Sequence, residues 1–483
     1  MTALATGIVA SGALDRHRVV LALGWIAAAA CLFGAALWLS AIPPSLSSDD
    51  ALFLLRSLTR FSILDFSPQF PGYPGTVAMG RLALIFTRDP LAALALTSAA
   101  IALAIPPAAA WLTWRITAAP WASLAAFFIT LVGPLMPDLA ASLLSDGAGI
   151  LFLLIFLALL PKDGEPVRLR LFLAGLALGW AAACRPSDAP LFAGAIVAVA
   201  FVRPRWAGLV ALGVGAVLIP VATIVYALEG PLYFAEGIRF LSGHALIWGN
   251  TSLAPGAGQH ESWQGTLAAV PFAVPMAVLV LAGIIAAVVL RGRSPALKAL
   301  LAAFVAHAVF IVAFQNPDHL RHVAPLVVLG GVAFVSALAA PQFKRLRFVA
   351  LAVLAATEVA SLAATGAISA AARPSPLASA ISWIAAHPPA ALATNEGVFT
   401  LRAALPQSRV YDAHYAADAA LGLASAAGPA YRLTGTPLAG TEPAAAFPAR
   451  FPGERTLTLY AVRWTRIVTR RASADNGRTG GSR

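Results

Sequence analysis

Apolar segments of about 20 residues recur along most of the 483-residue chain and constrain its fold more than any other feature. An α-helix of about this length crosses the hydrocarbon core of a bilayer. The composition agrees, because 59% of the residues are hydrophobic and only 11% are charged, whereas soluble domains are about a quarter charged. The alternating segments of about ten residues that mark a transmembrane β-barrel do not occur in the sequence. We therefore predict a polytopic α-helical membrane protein.

Eleven segments have the length and flanking residues expected of membrane-spanning helices. They cover roughly residues 18–40, 90–114, 119–137, 145–160, 171–184, 189–202, 206–226, 268–290, 297–314, 323–340 and 347–371. The first is too long for a typical signal-peptide core and is predicted to stay in the protein. The fifth and sixth are short and meet at CRPSDAP, so a broken or re-entrant hairpin is the alternative there.

The charge distribution predicts the orientation of these segments. With the N-terminus in the cytoplasm, the inner loops hold fourteen Lys and Arg residues and the outer loops before the tail hold seven, as the positive-inside rule requires. The net charge of +12 therefore indicates membrane topology, and we expect no nucleic-acid partner. Carboxylates concentrate in the outer loops, which indicates either chemistry on that face or, for any single residue, an ordinary solvated loop. The two cysteines suggest neither a disulfide framework nor a cysteine metal site.

The chain divides into three predicted parts. Residues 1–372 form the membrane domain, with long outer loops at 41–89 and 227–267. From 373 to 470 the stretches ALATNE, SRVYDA, AYRLTG and LTLYAVRW are typical of short strands. Helical patterns lie between them, which predicts a small α/β domain outside the cytoplasm with a largely parallel sheet. Residues 471–483 have the composition of a disordered tail.

Two carboxylates, Asp49 and Asp50, follow the first predicted span in SLSSDDALFLLRSLTR. A carboxylate at the membrane surface can act as a general base on an acceptor hydroxyl or amine. The alternative is structural: Ser47, Ser48 or Asp49 can cap the next helix, and acidic residues are favoured in its first turn. Both readings are compatible with the sequence.

A second acidic pair, Asp138 and Asp146, lies at an outer helix-to-helix turn in PDLAASLLSDGAG. Either residue is a functional candidate, and turn chemistry is the alternative for both. CRPSDAP places Arg185 and Asp188 together, as a local ion pair or as part of a site, because an Arg near bilayer depth needs a partner or water.

The segment QNPDHLRHVAPL predicts an anion site at the outer mouth of a span, since the Arg321 guanidinium suits phosphate oxygens and His319 and His322 lie beside it. A two-histidine metal site is a weaker alternative. Glu358 lies within the last predicted span, and no role is assigned to it.

In layout the chain resembles the GT-C-type integral membrane glycosyltransferases, especially the protein O-mannosyltransferase and aminoarabinose-transferase type. The resemblance is carried by an acidic first outer loop followed by surface helices and later spans in the expected order. The stretches are SSDDALFLLRSLTRFS, QFPGYPGTVAMGRLALIF, SDGAGILFLLIFLALL, LAGLALGWAAACRPSDAPL and RHVAPLVVLGGV. Bacterial relatives often have a periplasmic α/β tail as well.

The resemblance implies roles for individual residues. Asp49 matches the catalytic first-loop carboxylate, with Asp50 where relatives often have Glu, and Asp146 matches the second-loop acid better than Asp138. Arg321 matches the residue that holds the donor phosphate; further donor-site candidates are His322, Arg185 and His319. Candidates for acceptor contacts are Asp138, Glu236 and His244. Relatives with a Lys near residues 69–72 differ from this chain, which has Gln69. One phosphate contact is therefore either missing or supplied by Arg60, Arg81 or Arg185.

The implied function is transfer of a hexosyl or pentosyl group from a polyprenyl-phosphate donor to a lipid, glycan or protein acceptor. Transfer would occur at the periplasmic face of a bacterial inner membrane, by one inverting displacement. No cofactor is predicted, and a divalent metal near Asp49 and the histidines is left as an alternative. The alternative is a transporter or flippase of a lipid-linked or anionic solute. Transporters concentrate polar residues at the bilayer midplane, whereas here they concentrate at the outer face. A non-catalytic scaffold is a third reading.

Overall fold

The computed structural model describes residues 2–162, 165, 167–248, 263–268, 273–290, 294–317, 319–370, 372–438 and 440–462. The chain forms two compact units. The membrane unit comprises the described parts of 1–44, 53–373 and 451–453. The α/β unit comprises residues 45–52, 374–450 and the described residues from 454 onward. The predicted tail at 471–483 lies outside the described residues, and the predicted domain boundaries stay predictions.

Helices account for most of the described chain. In chain order they are α1 Thr2–Ser40, α2 Asp49–Ser57, α3 Pro74–Ala83, α4 Pro90–Thr117, α5 Pro120–Leu131, α6 Met136–Ala141, α7 Asp146–Leu159, α8 Val167–Cys184, α9 Ala189–Val202, α10 Pro204–Glu229, α11 Leu232–Trp248, α12 Trp263–Ala268, α13 Ala273–Val289, α14 Pro295–Phe314, α15 Ala324–Leu338, α16 Arg347–Ala364, α17 Ala367–Ala370, α18 Pro376–Ala386, α19 Val398–Ala404 and α20 Ala416–Ala424. Short 3₁₀ helices occupy Pro186–Asp188, Leu320–Val323 and Pro341–Phe343.

Proline begins many of these helices. Pro90, Pro120, Pro204 and Pro295 occupy first helical positions, where a missing N–H removes no intrahelical hydrogen bond. At α4 the preceding Asp89 also caps the helix, because its carboxylate accepts the Leu91 N–H at 3.0 Å. Local sequence therefore sets where the apolar helices start.

Each of the eleven predicted spans contains an apolar helix in the described residues, which confirms a polytopic α-helical membrane protein. Within the described residues, seven helical segments have the length and composition to cross a membrane. They are Arg18–Ser40, Pro90–Thr117, Val167–Cys184, Pro204–Glu229, Pro295–Phe314, Leu320–Leu338 and Arg347–Ala364. The other four, α5, α7, α9 and α13, are shorter apolar helices. Helices are present in the first long loop as α2 and α3, and their placement along the membrane surface stays a prediction.

The core of the membrane unit lies where α4, α7, α8, α9, α14 and α15 meet. Close helix contact depends on glycine where α8 crosses α10. A Cβ on Gly175 would collide with the Val210 carbonyl, and one on Gly213 would collide with the Phe172 carbonyl. Small residues allow this approach, which gives apolar helices the van der Waals contact that holds them together in lipid.

A buried arginine ties the C-terminal ends of α4 and α7 together. Arg115 donates to the carbonyls of Ala158 and Leu160, both at 3.1 Å, and both its terminal nitrogens donate to the Glu165 carboxylate. Arg170 adds a second cation, at 3.2 Å from Glu165. The hydrogen bonds from Arg115 are the main reason that the pKa of Glu165 falls to about 2. This cluster holds the α7–α8 turn against the end of α4.

The α/β unit is built on a five-stranded sheet in the described residues, with strand order β2-β1-β3-β5-β4. The strands are β1 Ala391–Thr394, β2 Val410–Asp412, β3 Ala430–Thr434, β4 Pro443–Phe447 and β5 Leu457–Ala461. β1 pairs in parallel with β2 and β3, whereas β5 pairs antiparallel with β3 and β4. The prediction of a largely parallel sheet is therefore wrong, since half of the pairings are antiparallel. β4 was also missed, because an edge strand that begins with Pro and is otherwise mostly Ala has weak strand character.

Candidate functional site

The membrane unit contains a buried ionic cluster at the junction of α8 and α9. Arg185 Nη2 lies 2.9 Å from Asp146 Oδ1, and its Nη1 donates to Ser145 Oγ at 2.9 Å. Arg185 Nε lies 3.8 Å from Asp188 Oδ1. The three ionic side chains are each at most 8% exposed, so their charges are compensated by one another more than by water. The predicted Arg185–Asp188 pair is present, but Asp146 is the nearer partner.

Helix ends position these three residues. Asp146 is the first residue of α7, Arg185 follows the end of α8, and Asp188 ends the 3₁₀ turn before α9. The approach depends on Gly149, one turn into α7. A Cβ there would lie 3.0 Å from Arg185 Cβ and 3.3 Å from Asp188 Oδ2. The second glycine of SDGAG, Gly149, therefore makes room for the cluster.

The start of α3 forms one wall of the cluster. Thr76 Oγ1 donates to the Cys184 carbonyl at 3.0 Å, which places this segment against the end of α8. The Tyr73 ring lies 5.5 Å from the Arg185 guanidinium carbon, a cation–π contact. Tyr73 has a φ of 48° and follows Gly72 with a φ of 102°. A tyrosine in the left-handed region is strained, and such strain concentrates at functional sites.

A histidine-rich group continues the cluster at the start of α15. Arg321 and His322 are buried in the 3₁₀ turn Leu320–Val323, and the His319 ring lies 6.2 Å from the His322 ring. From α14, His307 Nε2 lies 3.0 Å from the His322 carbonyl oxygen. His322 interacts electrostatically with both Arg321 and Arg185. The predicted phosphate-site residues Arg185, His319, Arg321 and His322 therefore share one electrostatic neighbourhood with Asp146.

The cluster retains unused hydrogen-bonding capacity. Asp146 Oδ2 and His307 Nδ1 are buried and have no hydrogen-bond partner among the described residues. One guanidinium group, Arg185, meets two carboxylates there, and both Arg321 and Arg185 interact electrostatically with His322. Such an arrangement can bind an anion at the guanidinium side and accept or donate a proton at the imidazole or carboxylate side.

Three residues of this cluster were missed by the sequence analysis: Ser145, Tyr73 and His307. His307 had an available signal, because it is a polar residue inside an otherwise apolar span. Tyr73 and Ser145 had none, since their importance comes from contacts with Arg185 that are distant in sequence.

In the α/β unit Asp49 is bound to the first turn of α19. Its Oδ1 accepts the Thr400 N–H and the Thr400 hydroxyl, both at 2.8 Å, and its Oδ2 accepts the Phe399 N–H at 3.2 Å. Burial raises the pKa of the Asp49 carboxyl above its ordinary 3.8, while these hydrogen bonds act in the opposite direction. Asp50 follows on α2 and is half-buried. Of the predicted capping residues, Ser48 caps α2, since its hydroxyl accepts the Ala51 N–H at 3.4 Å.

The remaining predicted site residues have other surroundings. Asp138 is buried on α6 against Gly453, where a Cβ would collide with its carboxylate. Glu236 on α11 accepts two hydrogen bonds from Arg239, at 2.8 and 2.6 Å. His244, also on α11, stacks on Phe240 with ring centroids 6.3 Å apart. The described part of the chain contains no group of three His, Cys, Asp or Glu residues arranged to hold a metal ion.

The fold is similar to that of ArnT from Cupriavidus metallidurans bound to undecaprenyl phosphate. The two chains are 14% identical, the TM-score is 0.52, and the match covers 92% of this chain and 98% of ArnT. The apo structure of the same protein is 13% identical with a TM-score of 0.47, and covers 91% of this chain and 98% of ArnT. No protein-family model and no curated protein matches the chain. The predicted GT-C-type fold is thereby confirmed.

Proposed function

We propose that the protein is a membrane glycosyltransferase that transfers a sugar from a polyprenyl-phosphate carrier to a lipid, glycan or protein acceptor. The observation that carries this proposal is the buried Arg185–Arg321 neighbourhood at the ends of apolar helices. A lipid phosphate has its anionic group at the membrane surface and its chain in the hydrocarbon, so it suits a cationic group at that position. The likeness of the fold to ArnT, which is bound to undecaprenyl phosphate in one structure, supports a polyprenyl lipid as the donor.

Arg321 is our proposed contact to the donor phosphate. Its guanidinium provides fixed donors for phosphate oxygens, and its burial excludes competing water. Arg185 is already held by Asp146 and Ser145, so it would add positive potential at a fixed position. As the glycosidic C–O bond breaks, negative charge grows on the leaving phosphate, and preorganised cations stabilise that charge.

The base of the reaction is proposed to be Asp49. Its raised pKa favours proton acceptance near neutral pH over that of an ordinary aspartate. One displacement at the sugar C1 breaks the bond to the phosphate oxygen and forms the bond to the acceptor, with inversion, and the acceptor proton goes to the carboxylate. We place the reaction at the periplasmic face of the inner membrane, with the N-terminus in the cytoplasm and the C-terminal part in the periplasm.

The test is transfer by the purified protein in vesicles, with a panel of radiolabelled polyprenyl-phosphate sugars and with lipid, glycan and protein acceptors. Arg321→Ala should raise the KM for the donor about 10- to 100-fold, because a hydrogen bond to a charged group contributes about 1.5–3 kcal/mol. Arg321→Lys should recover part of this loss, since it keeps the charge without the fork of donors.

The matched control is Arg239→Ala. Arg239 is also in the membrane unit, but its side chain is 70% exposed and it pairs with Glu236. We expect its donor KM to stay at the wild-type value. An unchanged donor KM in Arg321→Ala would refute the phosphate role, and no transfer from any polyprenyl-phosphate sugar in the panel by the wild-type protein would refute the proposed activity.

A further inference from the structure

A separate apolar groove runs between α1, α4 and α5. We call it the tryptophan groove, and its main lining residues are Trp25, Leu32, Trp111, Trp114, Pro120 and Phe127. Its volume is about 490 Å³. Trp25 and Trp114 are 41% and 48% exposed, so the groove is open at the surface. The Ser123 hydroxyl in its wall donates to the Ala110 carbonyl at 2.8 Å, which leaves the lining apolar in character.

The tryptophan groove is distant from the ionic cluster. The cluster lies beside Ile101 of α4, because Gly147, the neighbour of Asp146 in the chain, packs against that residue. A Cβ on Gly147 would lie 3.2 Å from the Ile101 side chain. Trp114 lies 13 residues farther along the same helix, which corresponds to about 20 Å at 1.5 Å per residue. From Pro107 to Trp114 the groove extends about 10 Å along α4. That is shorter than one leaflet of a hydrocarbon core of about 30 Å, and suits part of a single acyl chain.

The rim of the groove is basic. Lys162 Nζ lies 5.8 Å from the centre of the Trp114 ring. Among the described residues, the charged neighbours of Lys162 are Arg115, Arg170 and Glu165, so three cations with Lys162 included stand against one carboxylate. Burial and the neighbouring Arg115 lower the pKa of Lys162, which indicates that cations are crowded there. On α1, exposed Arg18 precedes Trp25 by seven residues, about 10 Å.

Along the groove the lining is apolar, then aromatic at Trp114, and then basic at Lys162. A phospholipid has the same order, from its acyl chain through the interfacial region to its phosphate. We propose that the tryptophan groove binds one anionic phospholipid, with an acyl chain against Trp111 and Trp114 and the phosphate at Lys162. Basic pockets between transmembrane helices bind anionic headgroups in this way, and tryptophan favours the boundary between headgroup and chain. The lipid would hold α1, which has few buried residues, against α4 and α5.

The inference is tested by tryptophan quenching in the full-length protein, reconstituted in phosphatidylcholine and titrated with phosphatidylglycerol brominated on its acyl chains. Quenching should saturate at low phosphatidylglycerol content, and brominated phosphatidylcholine should not reproduce this saturation. Lys162→Gln should weaken the saturable component about fivefold, which corresponds to about 1 kcal/mol for one basic residue at an anionic headgroup. Lys298→Gln, an exposed lysine outside the groove, should leave it unchanged.

A second pair of variants tests the groove itself. Ala29 lines the groove and is exposed, so Ala29→Phe should fill the groove without disturbing the core and should abolish the saturable quenching. Ala30 is exposed on the same helix but is not among the residues that line the groove, so Ala30→Phe should have no effect. Equal quenching by both brominated lipids, or saturable quenching that survives both Lys162→Gln and Ala29→Phe, would overturn the inference. Competition by polyprenyl phosphate and not by unbrominated phosphatidylglycerol would also overturn it, since the occupant would then be the donor lipid.

Discussion

Asp49 is both the proposed base and the acceptor of three hydrogen bonds from α19, and these two roles predict different results for different substitutions. Asp49→Asn keeps one oxygen as an acceptor and should destabilise the α19 N-terminus by about 1 kcal/mol, within the range for loss of a capping side chain. Thr400→Val removes one hydrogen bond to Asp49 Oδ1 and should cost about the same, since a typical hydrogen bond contributes about 1 kcal/mol.

The two variants should differ in turnover. If Asp49 is the base, Asp49→Asn should lower kcat about 10²- to 10⁴-fold, the contribution of general-base catalysis, whereas Thr400→Val should stay within a few-fold of wild type. Local stability is read from hydrogen exchange at the amides of Phe399 and Thr400, which reports opening of α19 alone. Equal losses of turnover in the two variants, with equal increases in exchange, would refute the base and leave Asp49 a capping residue.

The pH dependence provides a second test of Asp49. Because its folded pKa is raised above the ordinary 3.8, the folded protein binds this proton at a higher pH than the unfolded chain does. The ionised carboxylate is therefore the less favoured form, and the contribution of Asp49 to stability decreases as the pH rises from 3.8 through the folded pKa. Activity changes in the opposite direction, so the acid limb of kcat/KM should lie above pH 3.8.

Three further predictions concern stability of the membrane unit, measured by unfolding in mixed micelles with increasing dodecyl sulfate. Glu358 is 3% exposed and its Oε2 has no hydrogen-bond partner among the described residues, so Glu358→Leu should stabilise the unit by about 1–3 kcal/mol; a destabilised variant would contradict this. Arg185→Met leaves Asp146 buried without its cation and should destabilise by about 3–5 kcal/mol, and adding Asp146→Leu should restore part of the loss. The pKa of Glu165 is about 2, below its ordinary 4.5. The contribution of Glu165 to the stability of the membrane unit is therefore present above pH 4.5 and is lost as the pH falls toward 2. Glu165→Gln should remove that acid sensitivity, and an unchanged profile would be evidence against the Arg115–Glu165 pair as its source.

The sequence predicted many of the residues of the site, but it did not predict which of them contact one another. Charged and polar groups beside apolar helices are unfavourable without a function or a partner. For this reason the sequence marks four residues as site candidates: Arg185, Asp188, Arg321 and His322. Arg185 lies nearer to Asp146 than to Asp188. The sequence CRPSDAP could not predict this, because Asp146 belongs to the start of α7. The need for a glycine at position 149 likewise follows only from the tertiary structure, because it arises where α7 packs against the turn between α8 and α9.

The sequence by itself determined the class of fold, the order of the eleven apolar helices and most of their starting points. The physical reason is that a bilayer requires each backbone polar group to be satisfied within its own helix, so length and local composition suffice. Tertiary structure decided what depends on distant pairings: the antiparallel addition of β5 and β4 to the sheet, and the partner of Asp49, which lies 351 residues away. No local pattern encodes such contacts, because their energies depend on burial and geometry that exist only after the chain has folded.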